Sequence, residues 1–193
     1  MKKVTFALCI LSSMFFSCSK SSSTDASENE EKINAVTFSS SDANKLVGDL
    51  YIGMPIDSVK ATGCLGMEML DWMYELNDRM FCGVMFEGSS AMFFNDSLYC
   101  VSYGKSTDEI ESEMNSVKKI IESKYGSPSI AITDYEIIDT PFVVYSWSIL
   151  NKKIDLLVSS SYDKEAFFSV MLYDAETAEK RETERIKKLS SNI

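Results

Sequence analysis

Beyond about Val36 the chain consists of short apolar segments separated by two-residue turn signals: Gly88-Ser89, Asn95-Asp96, Asn151-Lys152 and Asp163-Lys164. Links that short join antiparallel neighbours, because parallel strands need a crossover of about a dozen residues or more. Most of the folded part is therefore held to antiparallel pairing. Three strands are expected at 79–87, 90–94 and 98–104. Four more are expected near 130–138, 142–150, 153–160 and 166–173.

Helical signals punctuate these runs. Pro55 sits well in a first helical turn, where its missing N–H is not needed, and Ile52, Ile56 and Val59 lie on one side. A helix over 55–62 is expected, ended by Gly63 and Gly66. Met69, Trp72, Met73 and Leu76 repeat at helical spacing, which predicts a second short helix over 67–77. Ser106-Thr107-Asp108-Glu109 has the form of a capping box before Ile110, Met114, Val117 and Ile121, and Gly126 and Pro128 stop that helix. A charged helix over 175–190 closes the chain. Strands grouped apart from helices give the expected class: α+β, as tandem helix-plus-antiparallel-sheet halves, about 46–105 and 106–174, within one domain over 36–193.

The first thirty-five residues belong to a different regime. Lys2 and Lys3 precede thirteen uncharged residues, Val4 to Phe16. As a helix that run rises about 20 Å, short of the ~30 Å hydrocarbon core, so it reads as the apolar region of a signal peptide over 1–17. Phe15-Phe16-Ser17-Cys18 resembles a bacterial lipobox, with Ser17 in the small position and Phe15 and Phe16 departing from the usual residues. The resemblance implies cleavage after Ser17 and acylation of Cys18. An ordinary secretory peptide with an incidental cysteine is the alternative. Residues 18–35, including Ser21-Ser22-Ser23-Thr24 and Glu28-Asn29-Glu30-Glu31, carry almost nothing apolar and are expected to form a disordered tether. By resemblance to known sorting rules, Ser19 rather than Asp after the cysteine implies the outer membrane. The expected placement is a periplasm-facing lipoprotein of the cell envelope, held to the membrane through its N-terminal acyl chains.

Tyr51-Ile52-Gly53-Met54-Pro55-Ile56-Asp57-Ser58-Val59 resembles the helix entry of small envelope lipoproteins of the BamE-like (SmpA/OmlA) type. The beta-lactamase-inhibitor-protein-like fold repeats a similar unit twice. Lys124-Tyr125-Gly126-Ser127-Pro128 followed by Trp147 is similar to a pattern in bacterial lipoproteins of unknown role. Gly63-Cys64-Leu65-Gly66 departs from the usual ending of the first motif. A resemblance of this extent speaks to fold more than to activity.

Charge and composition narrow the chemistry. Nineteen Lys and Arg against 29 Asp and Glu give a net charge of -10, which argues against a nucleic-acid partner. The chain has no histidine, which removes Ser-His-Asp triads, Cys-His pairs and histidine-built zinc sites. Phosphate loops, dinucleotide fingerprints and calcium loops are also absent, so no cofactor and no metal is expected. The carboxylates are numerous, but no linear spacing selects a catalytic pair. Cys64, Cys82 and Cys100 allow three buried thiols, one bridge to Cys64, or a reactive site.

On the 142–150 strand, Val143, Tyr145, Trp147 and Ile149 share a face, while Phe142, Val144 and Leu150 share the other. Both faces are apolar, which means either a central strand packed on both sides or a platform around Tyr145 and Trp147 open to a partner. The terminal helix is expected to be solvated or to dock another protein. Asp57-Ser58-Val59 and Asp96-Ser97-Leu98 resemble the Asp-Ser/Thr-apolar signature of bacterial O-glycosylation. The expected role is non-catalytic binding or scaffolding in the envelope. The alternatives are an inhibitor-like module acting on another envelope protein, or an enzyme using a carboxylate or a thiol.

Overall fold

The computed structural model describes residues 44–135, 138–159 and 166–191. The expected signal peptide, the Cys18 acylation site and the tether all lie outside the described residues. In chain order the elements are β1 (Lys45–Val47), β2 (Leu50–Tyr51), α1 (Ile56–Ala61), β3 (Leu65–Leu70), β4 (Met73–Leu76), β5 (Met80–Phe81), β6 (Val84–Met85), β7 (Gly88–Phe94) and β8 (Ser97–Thr107). Then follow α2 (Ile110–Tyr125), β9 (Ser129–Tyr135), β10 (Ile138–Ile149), β11 (Lys152–Ser159), β12 (Ala166–Asp174) and α3 (Ala175–Ser190).

Eight strands make one antiparallel sheet in the order β3-β4-β7-β8-β12-β11-β10-β9, while β1-β2 and β5-β6 are separate ribbons. This overturns the expected α+β class with a sheet for each half. The protein is mostly β, with three helices among the described residues. The physical reason lies at the middle of the sheet. Leu98 to Gly104 of β8 are all buried, so this strand is packed on both faces and cannot end a sheet. It pairs with β12 through eight residues, from Ala166↔Thr107 to Tyr173↔Cys100.

The far landing of β9 follows from helix length. From β8 to β9 the chain crosses four strand spacings, about 19 Å. Sixteen residues of α2 span about 24 Å, enough to carry the chain over β12, β11 and β10 to the opposite edge.

Each face has its own core. On the first, Val59 of α1 and Val117 and Ile121 of α2 pack against Phe93, Val101, Val170 and Trp147. On the second, Met73, Met92, Cys100 and Met171 form a smaller cluster with Val144 and Leu157, and Ala178 of α3 lies against it. No residue of α3 is fully buried. Its hold on the sheet includes Arg181, whose guanidinium sits 3.6 Å from the centre of the Trp72 ring and 5.8 Å from that of Tyr99. That stack keeps the charge near water while covering aromatic surface.

Several local expectations are corrected. The helix expected over 67–77 is the β3-β4 hairpin, turning at Asp71-Trp72. Its apolar residues divide between the faces: Met73 joins the second core and Leu76 the first, so the apparent helical spacing is two strand patterns joined by a turn. The strand expected over 79–87 is broken by Cys82-Gly83, at φ 49° and 75°, into the β5-β6 ribbon. Ser106 and Thr107 finish β8 rather than capping α2, and the Thr107 hydroxyl instead accepts the Glu109 N–H at 3.0 Å. The Asn95-Asp96 turn is present, with both residues at positive φ as a type I′ hairpin requires.

Trp147 joins sheet to helix: its Nε1 donates to the Gly126 carbonyl, at the end of α2, at 2.8 Å. Replacing Trp147 with Phe deletes that donor and part of a buried ring. The expected loss is about 1–3 kcal/mol, read as a lower midpoint in urea unfolding with an unchanged slope.

Candidate interaction surface

Tyr145 and Trp147 leave β10 on the same face, two residues apart, yet they meet different surroundings. Trp147 is 2% exposed and belongs to the first core. At Trp147 the surroundings are those of core packing. Tyr145 is half-buried, with the Lys118 ammonium 4.6 Å from its ring centre. Lys118 in turn pairs with Glu122 at 3.6 Å. One flank of α2 thus shades Tyr145 without sealing it.

Outward from Tyr145 the surface stays apolar. Ile130 of β9 is its direct cross-strand neighbour, and Ile132 lies opposite Val143. Ile130 is 64% exposed and Ile132 is 74% exposed. They stand on the last strand of the sheet, and among the described residues no strand lies beside its outer backbone edge. Tyr145, Val143, Ile130 and Ile132 therefore make a continuous apolar strip ending at an open edge.

The two ends of the sheet are built differently. At one end β3 meets β4 through three residue pairs with two register shifts between them, and Glu68 on that strand is exposed. Bulges and charges blunt an edge against unwanted pairing. At the other end β9 runs in register with β10 for five consecutive pairs, from Ser129↔Ser146 to Thr133↔Phe142. Ser129 to Thr133 contain no charge, proline or glycine. Beyond Thr133 the strand carries Asp134 and its pairing with β10 shifts register. The five residues before that point form a regular, uncharged stretch with two exposed isoleucines, which is the form that accepts an additional strand.

The other candidate groups are occupied within the fold. Asp155 is 3% exposed on the second face. It accepts hydrogen bonds from the Ser146 and Tyr173 hydroxyls, each at 2.6 Å, and lies 3.8 Å from the Lys153 ammonium. Those partners explain the buried carboxylate as a cross-strand tie between β10, β11 and β12. Glu113 on α2 pairs with Lys105 at 2.5 Å. Lys152 is buried and donates to the Lys45 carbonyl at 3.0 Å, fastening β1 to the β10-β11 turn. Cys64, Cys82 and Cys100 are unbridged. No group of three or more Cys, Asp or Glu among the described residues is placed to hold a metal ion. Ser58 is exposed on α1, whereas Ser97 is half-buried where β8 meets Pro55, so the accessible residue of the two Asp-Ser signatures is the helical one.

No helix among the described residues is long and apolar enough to cross a membrane. Compared with known proteins, the chain matches no family model, no curated protein and no solved structure. The surface is therefore read from its own geometry.

Burial leaves a distinct mark on the thiols and phenols. It pushes the Cys82 thiol up to about 11, against an opposing pull from Lys124. Burial likewise raises Cys100, Tyr99 and Tyr103. The folded state thus keeps protons that the unfolded chain has already released, so stability falls as pH climbs from the ordinary thiol range toward pH 11. Two results are expected. The urea midpoint drops across that window, and a thiol reagent at pH 8 labels Cys100 only after denaturation.

Proposed function

We propose that the chain is a membrane-anchored lipoprotein of the cell envelope whose folded body binds another protein segment non-catalytically, by adding a strand to β9. The observation that carries this reading is the open β9 edge with Ile130 and Ile132 largely exposed beside Tyr145. In such pairing, main-chain hydrogen bonds supply affinity and alternate side chains supply selectivity. Here the selective positions are the two isoleucines, and the chemistry that fits them is an extended, uncharged, apolar segment.

The anchoring part rests on the N-terminal sequence. Lys2 and Lys3, the uncharged run from Val4 to Phe16, Ser17-Cys18 and the polar stretch after it support acylation of Cys18. One acyl chain holds a protein only marginally, whereas two or more hold it stably. Ser19 supports the outer membrane, with the body on the periplasmic side. Removal of the signal peptide takes Lys2 and Lys3 with it and leaves a net charge of -12, which anionic lipid repels. The tether, not the body, is then what meets the membrane.

Two measurements test the halves of this reading separately. Cells producing the chain should incorporate labelled palmitate into it, and Cys18→Ala should abolish the label and move the protein from the membrane pellet to the soluble fraction. Ile132→Lys places a charge on the open edge at an exposed position. It should reduce recovery of the bound partner at least about tenfold, a change of ~1.4 kcal/mol, with the thermal midpoint unchanged. Undiminished recovery would remove β9 from the account.

A further inference from the structure

We infer that the segment paired with β9 is β9 of a second copy of this chain, antiparallel about a two-fold axis through Ala131. The inference rests on the preceding reading of β9 as the binding edge and names its occupant.

A two-fold interface uses the same patch on both partners, so the patch must complement itself. For an antiparallel strand pair this becomes a condition on sequence: residues equidistant from the axis must suit one another. Ser129-Ile130-Ala131-Ile132-Thr133 meets it, being nearly palindromic about its centre. Ile130 of one copy falls opposite Ile132 of the other, Ser129 opposite Thr133, and Ala131 opposite itself. Side chains directly opposite share one face of a sheet. The four isoleucines therefore gather on the face that holds Tyr145 and Val143, and each copy extends the other's apolar strip.

Neighbouring registers are worse. An axis through Ile130 sets Ile132 against Pro128, which precedes β9 and has no N–H to donate. An axis through Ile132 sets Ile130 against Asp134. With the axis at Ala131, Asp134 falls opposite Pro128, at the ends of the paired segment. The small Ala131 at the axis lets the two backbones meet without crowding. Nothing comparable exists at β3, whose register shifts twice within three pairs.

An edge of five residues buries less than the roughly 800 Å² per partner of a standard stable interface. Pairing in solution is accordingly weak and concentration-dependent. Confinement of both copies to one membrane raises their effective concentration and favours the pair.

The test is register-specific cross-linking of the full chain in membranes of the producing cells. Opposed residues of an antiparallel pair have Cα atoms about 4.5–5.5 Å apart, within disulfide range. Copper phenanthroline, which takes up the two electrons released by the thiols, should join Ala131→Cys chains into a homodimer several-fold above the parent chain's background. Ser129→Cys and Thr133→Cys should cross-link when co-produced, keeping the test independent of Ala131. Ser129→Cys alone should not, since its two copies lie about 14 Å apart along the strands. Adding Ile132→Lys to Ala131→Cys should return the signal to background. Cross-linking of Ser129→Cys alone at the level of the mixed pair overturns the register. Adducts at β9 that contain only a different protein overturn the second copy while leaving the binding edge in place. No adduct from any of these variants overturns both.

Discussion

The pairing of β8 with β12 is the constraint from which the rest of the structure follows. Each strand ends one run of the sheet, and their eight-residue contact makes two four-stranded runs into one sheet. Because β8 is buried on both faces from Leu98 to Gly104, each face needs its own cover. α1 and α2 cover one face, and α3 covers part of the other. The join also sends β3 and β9 to opposite ends of the sheet, the two edge strands among the described residues.

The two covers differ in kind. The α2 side is an apolar seam closed by Val117 and Ile121 and tied by the Trp147 indole to the Gly126 carbonyl. Under α3 the sheet offers methionines and aromatics to a helix that buries none of its own residues fully. Arg181 reconciles these by laying a planar charged group on Trp72. A highly charged helix thereby shields apolar surface without supplying an apolar face. Asp155 adds polar ties on the same side through hydroxyls and an ammonium, which spares the buried carboxylate an unmatched charge.

The covers leave part of the first face open. α2 lays the Lys118 side chain over Tyr145 and leaves Val143 half-buried, and among the described residues no strand lies beyond β9. The pairing of β3 with β4 shifts register twice within three pairs, whereas β9 is regular from Ser129 to Thr133 and shifts only beyond it.

The local features are legible in the chain. The Asn95-Asp96 turn, the stop of α2 at Gly126, the run of strands after it and the charged terminal helix are all set by residues close in the chain, whose backbone preferences act without tertiary help. The absence of histidine and the N-terminal pattern were equally legible, because they are statements about composition and order. Even the palindrome about Ala131 is written in the chain, but its meaning is not. Tertiary structure alone decided that β8 and β12 join the two runs, that Met69 to Leu76 fold as a hairpin, and that Trp147 is covered while Ile130 and Ile132 are not. The physical reason is common to all three. Periodicity tells which residues share a face, whereas burial and edge position depend on strands and helices distant in sequence, and those pairings are settled only when the whole sheet closes around its cores.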